Sequence, residues 1–316
     1  MTGRYSEDEL IATLFAPLAG AAALGLKDDA ALLPPQVEPL AVTTDMLVAG
    51  VHFFPDDPPS LIAKKALRVN LSDLAAKAAT PCGFLLSIAL PPEWTNEWLA
   101  AFAQGLGEDA RDFRAPLLGG DTSATPGPLT IAITAMGAAP RFVSRAGAQP
   151  GDGLYVSGAI GDAALGLLLR RDPSTAAHLS VDQRDALLTR YLLPQPRLDL
   201  VDLLRGEAKS AMDVSDGLAG DLVKLTRTSG VSARVEIARV PFSAAGRAMI
   251  SGDQTLLETA LTGGDDYEIL FTAGPGFSPP AGVARIGEIV AGDDPPILDG
   301  WPAGSHRAAR LSFAHF

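Results

Sequence analysis

The chain has 316 residues, with 25 Lys+Arg against 37 Asp+Glu and a single cysteine. That length favours two domains, and 47% apolar with 20% charged residues is the balance of a packed globular protein. A net charge of −12 argues against a general nucleic-acid binder, which needs a basic face to displace counterions from phosphates. No apolar run reaches the roughly 18 to 20 residues that span a bilayer, and the start Met1-Thr-Gly-Arg-Tyr5 has no signal-peptide core. A cytoplasmic protein with no membrane partner is therefore expected. Cys82 stands alone in an apolar context that reads as packing, so any metal must be held by oxygen.

In chain order, helical spacing occupies 7–17, then a β-rich run Leu40–Thr44, then a long amphipathic segment over 60–79 that opens at Ser60 as N-cap. Further strand signals lie at Phe84–Leu90, Leu129–Met136, Gly153–Ser157, Ser210–Val214, Tyr267–Thr272 and Val283–Ile289. Helical segments fall near 95–112, 161–170, 183–193, 217–228 and 254–261. Alternating strands and helices predict an α/β (α+β) class. The Gly/Pro-dense stretch 137–152 suits a junction, dividing a domain 1–139 from a domain 140–316.

The acidic residues collect in short motifs flanked by Gly, Ser, Thr and Ala. They are Lys27-Asp28-Asp29, Thr43-Thr44-Asp45, Asn70-Leu71-Ser72-Asp73, Gly119-Gly120-Asp121-Thr122, Asp213-Val214-Ser215-Asp216-Gly217 and Gly263-Gly264-Asp265-Asp266-Tyr267-Glu268. Any one motif is explained as well by helix capping or strand termination. Asp73 differs, because it interrupts an apolar helical pattern where no cap is needed. Carboxylates about 4 Å apart repel by roughly 4 kcal/mol at an effective dielectric near 20, so convergence of several demands cations. Oxygen ligands beside hydroxyls suit Mg²⁺, which is usually shared with substrate phosphates, and this points to nucleotide chemistry.

An acidic phosphate-binding protein must attract polyanions through metals and a few placed cations. The candidates are Lys27, Lys64, Lys65, Arg68 and Arg145. No Gly-Lys dipeptide exists, which removes a Walker A loop, and protein-kinase signatures are absent as well. His52, seven residues after Asp45, is compatible with either a cleft or a core position.

Together these motifs resemble the thiamine-monophosphate kinase family, of the superfamily that also holds aminoimidazole ribonucleotide synthetase. The resemblance runs over nearly the whole chain, with Gly-Val-His-Phe at 50–53, Gly-Gly-Asp-Asp-Tyr-Glu at 263–268 and the terminal His-Phe as its most particular parts. It implies a two-domain fold like that synthetase, whose N-terminal sheet forms an intersubunit barrel in a homodimer. It implies ATP-dependent phosphorylation of thiamine monophosphate by direct in-line transfer, assisted by several Mg²⁺ ions. By matching position it implies magnesium ligands at Asp29, Thr43, Thr44, Asp45, Asp73, Asp121, Asp213 and Asp216, with Asp45, Asp121 and Asp213 central to catalysis. ATP contacts fall to Gly120, Asp121, Arg145 and Ser215, and thiamine-phosphate contacts to His52, Asp265 and Phe313. Lys27 stands where the family usually has Gly, and Asp265 where it has Glu. Two alternatives stay open at this point: another ATP-using member of the superfamily, and a non-catalytic thiamine-phosphate-binding descendant.

Overall fold

The computed structural model of the protein describes residues 4–28 and 30–301. It divides into two compact units, one running to Leu74 and resuming over Ala79–Pro140, the other made of Ala75–Ala78 and the chain from Arg141 onward. No described helix is long and apolar enough to cross a membrane.

The first unit contains α1 (Glu7–Leu10), β1 (Leu40–Val48), α2 (Pro59–Ala76, whose last residues belong to the second unit), β2 (Thr80–Leu90), α3 (Asn96–Asp112), β3 (Leu117–Ala124) and β4 (Thr130–Ala138). Its four strands run in the order β1-β4-β2-β3. β2 and β3 are parallel, joined by the α3 crossover, and the β1–β4 and β2–β4 pairs are antiparallel. Along β4, Ile131, Ile133 and Ala135 are buried while the residues between them are not, so one face of the sheet is core.

Three local expectations are corrected. The segment 7–17 is not one helix: α1, capped by Ser6, passes into a π turn at Ile11–Phe15 and a 3₁₀ turn at Ala16–Leu18, where Pro17 lacks an N–H. Ser60 is not the cap of α2, which starts at Pro59, with the Pro58 carbonyl accepting from the Leu61 and Ile62 N–H groups. Gly119-Gly-Asp-Thr122, where strand termination is one reading of the motif, does not end a strand but is the middle of β3, held extended by its pairing with β2.

The second unit contains β5 (Gly153–Ser157), α4 (Asp162–Arg171), α5 (Val181–Leu192), α6 (Val201–Glu207), β6 (Ala208–Asp213), α7 (Leu218–Ser229), β7 (Ser232–Glu236), α8 (Ala244–Gly252), α9 (Leu256–Thr262), β8 (Ile269–Ala273), β9 (Val283–Val290) and β10 (Ile297–Asp299). Its sheet has the order β10-β7-β9-β5-β8-β6. β5 and β8 are buried at every position, as central strands covered on both faces must be. One core cluster gathers Leu218, Leu222 and Leu225 of α7 with Leu154, Val156, Met212 and Ile286 of the sheet. Strand and helix alternate in both units, the α/β (α+β) class expected of the sequence.

Candidate functional site

In the first unit the acidic motifs are carried on two faces of the sheet. Strand alternation places Thr43 and Asp45 on one face of β1 and Thr44 on the other. Asn70 and Asp73 are three residues apart in α2 and so share a helix face. Thr43 Oγ1 donates to Asp73 Oδ2 at 2.5 Å, and Asn70 Oδ1 accepts the Asp45 N–H at 3.0 Å. Asn70, a residue the sequence reading did not single out, thus fixes the backbone beneath Asp45. Burial, followed by the charge of Asp73, pushes the Asp45 carboxyl up to about 6. Two half-buried carboxylates facing one another want a positive charge between them.

On the other face, Thr44 Oγ1 donates to the Ile133 carbonyl at 3.1 Å and accepts from Thr134 Oγ1 at 3.0 Å. Thr134 lies opposite Leu85 of β2, and Ser87 lies beside Asp121 of β3. Thr134, Leu85, Ser87 and Asp121 form the floor of a cavity of about 790 Å³, lined further by Gly119, Gly120 and Thr122 and roofed by Glu7, Ile11, Phe15 and Leu26 with Asp28. The N-terminal segment is tied to the edge of the sheet, the Gly20 N–H donating to the Leu117 carbonyl at 2.9 Å. Asp28 therefore shares the cavity with Gly120 and Asp121, while Lys27 is exposed. Asp29 lies outside the described residues, as does Phe313.

His52 sits in the turn after β1. Its Nδ1 accepts the Val48 N–H at 3.0 Å, which places the ring proton of the neutral form on Nε2. Gly50 makes this turn at φ +82, and its N–H donates to the Phe53 carbonyl at 2.8 Å. Two of the cations considered from sequence serve other carboxylates. Lys64 Nζ is 2.7 Å from Glu108, and the Arg68 guanidinium grips both oxygens of the fully buried Asp109 at 2.6 and 2.9 Å. Lys65 is buried.

In the second unit two acidic loops are joined by backbone hydrogen bonds. The Val214 N–H donates to the Glu268 carbonyl at 2.8 Å, Tyr267 N–H to Val214 at 2.9 Å and Asp265 N–H to Ser215 at 2.9 Å. Gly264 is required for this approach, since a Cβ there would lie 2.3 Å from the Ser215 carbonyl oxygen. Ser215, Asp216 and Asp265 are thereby brought onto neighbouring loops, with Asp213 buried at the end of β6. Arg145 is exposed beside β6, its neighbour Ser144 accepting the Ala211 N–H at 2.9 Å. Asp265 and Tyr267 have φ of 74 and 53, and backbone strain of this kind gathers at functional loops. That geometry also delays β8 to Ile269, where sequence placed its start at Tyr267.

The other two acids of the 263–268 motif are structural. Glu268 is buried and receives Arg190 at 2.9 Å, Arg197 at 2.8 Å and Ser157 Oγ at 2.6 Å. Asp266 is wholly buried, accepting the Gly161 N–H at 2.6 Å and the Ala163 N–H at 3.2 Å at the start of α4. Burial raises its carboxyl to about 8 against those two donors and Arg190. Its folded value lies above the ordinary 3.8, so folding takes up a proton near neutrality. The stability it carries is whole below the ordinary value and is lost as pH rises through the folded one. Asp266→Asn is expected to flatten the fall in urea midpoint between pH ~4 and ~8 while losing one backbone bond at every pH. Parallel pH profiles for variant and parent would refute this.

Among the described residues no three carboxylate, imidazole or thiolate groups form a ready-made metal cage. The donor set at Thr43, Asp45 and Asp73 is all oxygen, the chemistry of a hard divalent cation that completes its shell with water and substrate phosphate.

The sequence matches AIR synthase related protein, N-terminal domain, over residues 27–139 and AIR synthase related protein, C-terminal domain, over 149–278. It is 41% identical over 305 residues to a thiamine-monophosphate kinase of Caulobacter vibrioides, covering 91% of this chain and 85% of that protein. Its fold is similar to that of thiamine-monophosphate kinase from Stenotrophomonas maltophilia, with a TM-score of 0.79 and 39% identity over 87% of this chain and 90% of the other. AaThiL complexed with AMPPCP and TMP is similar over 100% of both chains, with a TM-score of 0.79 and 30% identity.

Proposed function

The chain belongs to the AIR synthase related family and, within it, to the thiamine-monophosphate kinases, and from that premise we propose that it transfers the γ-phosphoryl group of ATP to thiamine monophosphate. The products are thiamine diphosphate and ADP. The observation that carries this reading is the half-buried pair Asp45 and Asp73, held by Thr43 and Asn70 in the unit that matches the family's N-terminal domain. Support for both substrates comes from AaThiL, which binds AMPPCP, an ATP analogue, together with TMP.

In this reading Asp29, Thr43, Thr44, Asp45, Asp73, Asp121, Asp213 and Asp216 hold Mg²⁺. Bound there, Mg²⁺ supplies charge neutralisation along the phosphate chain. Gly120, Asp121, Arg145 and Ser215 hold ATP. The acceptor phosphate is already ionised and needs no strong base, so these residues act by orienting two anions in line and excluding water. His52, Asp265 and Phe313 receive thiamine monophosphate. Purified protein with ATP, Mg²⁺ and thiamine monophosphate is expected to yield thiamine diphosphate on chromatography. Tight binding of both substrates without product would sink the kinase reading.

His52→Asn tests the acceptor side cleanly. Asn keeps an acceptor for the Val48 N–H but loses the Nε2 proton. The KM for thiamine monophosphate is expected to rise about tenfold, roughly 1.4 kcal/mol, with the KM for ATP and the melting temperature near those of the parent. Equal rises in both KM values would remove His52 from the acceptor pocket.

The sheet of the first unit leaves Val42, Met46 and Leu85 exposed on one face, at 62%, 59% and 38%. Exposed apolar side chains on a sheet face suit an interaction surface, and a homodimer through this face fits the family. Val42→Asp with Met46→Asp is expected to give a folded monomer by light scattering. A parent that is itself monomeric at micromolar concentration overturns the dimer.

A further inference from the structure

The acidic turn of the second unit contains its own cation. Asp221 lies in the first turn of α7 and Lys224 one turn further on, so both face the turn that carries Asp216. The Lys224 ammonium is hydrogen-bonded to Asp216 Oδ2 and lies 2.7 Å from Asp221 Oδ1. Asp221 is wholly buried, and its second oxygen accepts the Asp216 N–H at 2.9 Å. The Lys224 and Asp216 side chains are about one-third exposed, at 30% and 33%, so the pair stands at the mouth of the turn.

We propose that Lys224 is a positioning residue that takes a cation's place between Asp216 and Asp221, leaving Asp216 a single oxygen, Oδ1, to offer to a metal. The inference rests on the proposed role of Asp216 toward Mg²⁺. Two carboxylates without Lys224 would carry a charge of −2 and form a bidentate trap for any divalent ion. With Lys224 the cluster carries −1, one Asp216 oxygen is engaged, and the rotamer of its carboxylate is set. Such a turn holds Mg²⁺ weakly by itself and takes it up when nucleotide phosphates complete the shell, which is how this ion is usually bound at phosphoryl-transfer sites. A lysine that only fastened α7 to the preceding turn would have no such effect on metal affinity.

The test is Mn²⁺ binding to the full chain without nucleotide, read by the electron paramagnetic resonance of the free ion. Lys224→Met is expected to bind Mn²⁺ at least about tenfold tighter than the parent, a change of roughly 1.4 kcal/mol, and Lys224→Arg to bind as the parent does. In turnover, Lys224→Met should lower both kcat and the half-saturating Mg²⁺ concentration, with Lys224→Arg restoring both. Should Lys224→Met fail to fold because Asp221 is left charged and buried, the double variant Asp221→Asn with Lys224→Met removes both charges. It still frees Asp216 and is expected to bind Mn²⁺ more tightly than the parent. Unchanged Mn²⁺ affinity in the folded variant overturns the proposal. Because the metal is measured without substrate, absence of thiamine-monophosphate phosphorylation would strike the kinase reading and leave this result standing.

Discussion

Asp45→Asn is expected to lower kcat by about 10³-fold, equivalent to roughly 4 kcal/mol of transition-state stabilisation, while the protein without metal melts at the same temperature as the parent or higher. The two halves of this result have one cause. Asp45 is half-buried and faces Asp73, and burial together with that neighbouring charge has raised its carboxyl to about 6. Near neutral pH the folded protein therefore holds a repulsion that the unfolded chain does not, and the sign of the shift means that ionised Asp45 detracts from stability. Asparagine keeps the size of the side chain and removes the charge. Its backbone stays tied to Asn70, and Asp73 keeps the Thr43 hydroxyl. The parent should gain thermal stability on adding Mg²⁺ and the variant should gain much less, since a ligand stabilises only in proportion to its affinity for the folded state. A variant that turns over normally, or that still gains fully from Mg²⁺, would remove Asp45 from the metal site.

How much of this site could be read from sequence depends on whether its contacts are local. Strand alternation alone puts Thr43 and Asp45 on one face, and helical spacing alone puts Asn70 and Asp73 on one face. That these two faces meet is a tertiary fact, visible only in the Thr43–Asp73 and Asp45–Asn70 hydrogen bonds. The same limit hid the fate of the cations. Arg68 is four residues from Lys64 on α2, and its carboxylate partner Asp109 is 41 residues away on α3. Asp266 and Glu268 look like part of an exposed acidic motif, yet the start of α4 buries and hydrogen-bonds Asp266, while Ser157 of β5 and two arginines of distant segments hold Glu268. Of the fold, β5 was legible to its ends because a short apolar run buried on both sides needs no other context. β3 and β7 were not, since Gly-Gly-Asp-Thr-Ser and Ser-Ala-Arg-Val-Glu have turn-like or mixed composition and are strands by virtue of their neighbours. Lys224 illustrates the middle case: its spacing from Asp221 is a helical ion pair, and only the path of the preceding turn adds Asp216.

Gly120 offers a large effect from a single added methyl group. It lies opposite Leu86 where β3 runs parallel to β2, and a Cβ there would sit 1.7 Å from the Leu86 carbonyl oxygen and 2.7 Å from its carbon. That obstacle is backbone, so no rotamer change relieves it, and the strands must separate. Gly120→Ala is accordingly expected to cost about 3 kcal/mol, the upper end for overpacking, read as a lowered urea midpoint with unchanged slope. β3 is an edge strand, so it can shift outward, and Asp121 would move with it away from Ser87 and the cavity floor. A displacement of 1 Å in a site built on positioning costs on the order of 10²-fold, so turnover should fall by about that factor even in the fraction that folds. The neighbouring glycine is the control. A Cβ on Gly119 would meet only Leu85 Cδ2, at an ordinary 3.5 Å, so Gly119→Ala should stay within about 1 kcal/mol of the parent. If both alanine variants melt together, the close approach of β2 and β3 at Gly120 is not what holds Asp121 in place. If Gly120→Ala alone fails, the Gly-Gly pair ahead of Asp121 is explained by two different requirements: one residue that must lack a side chain, and one that merely does.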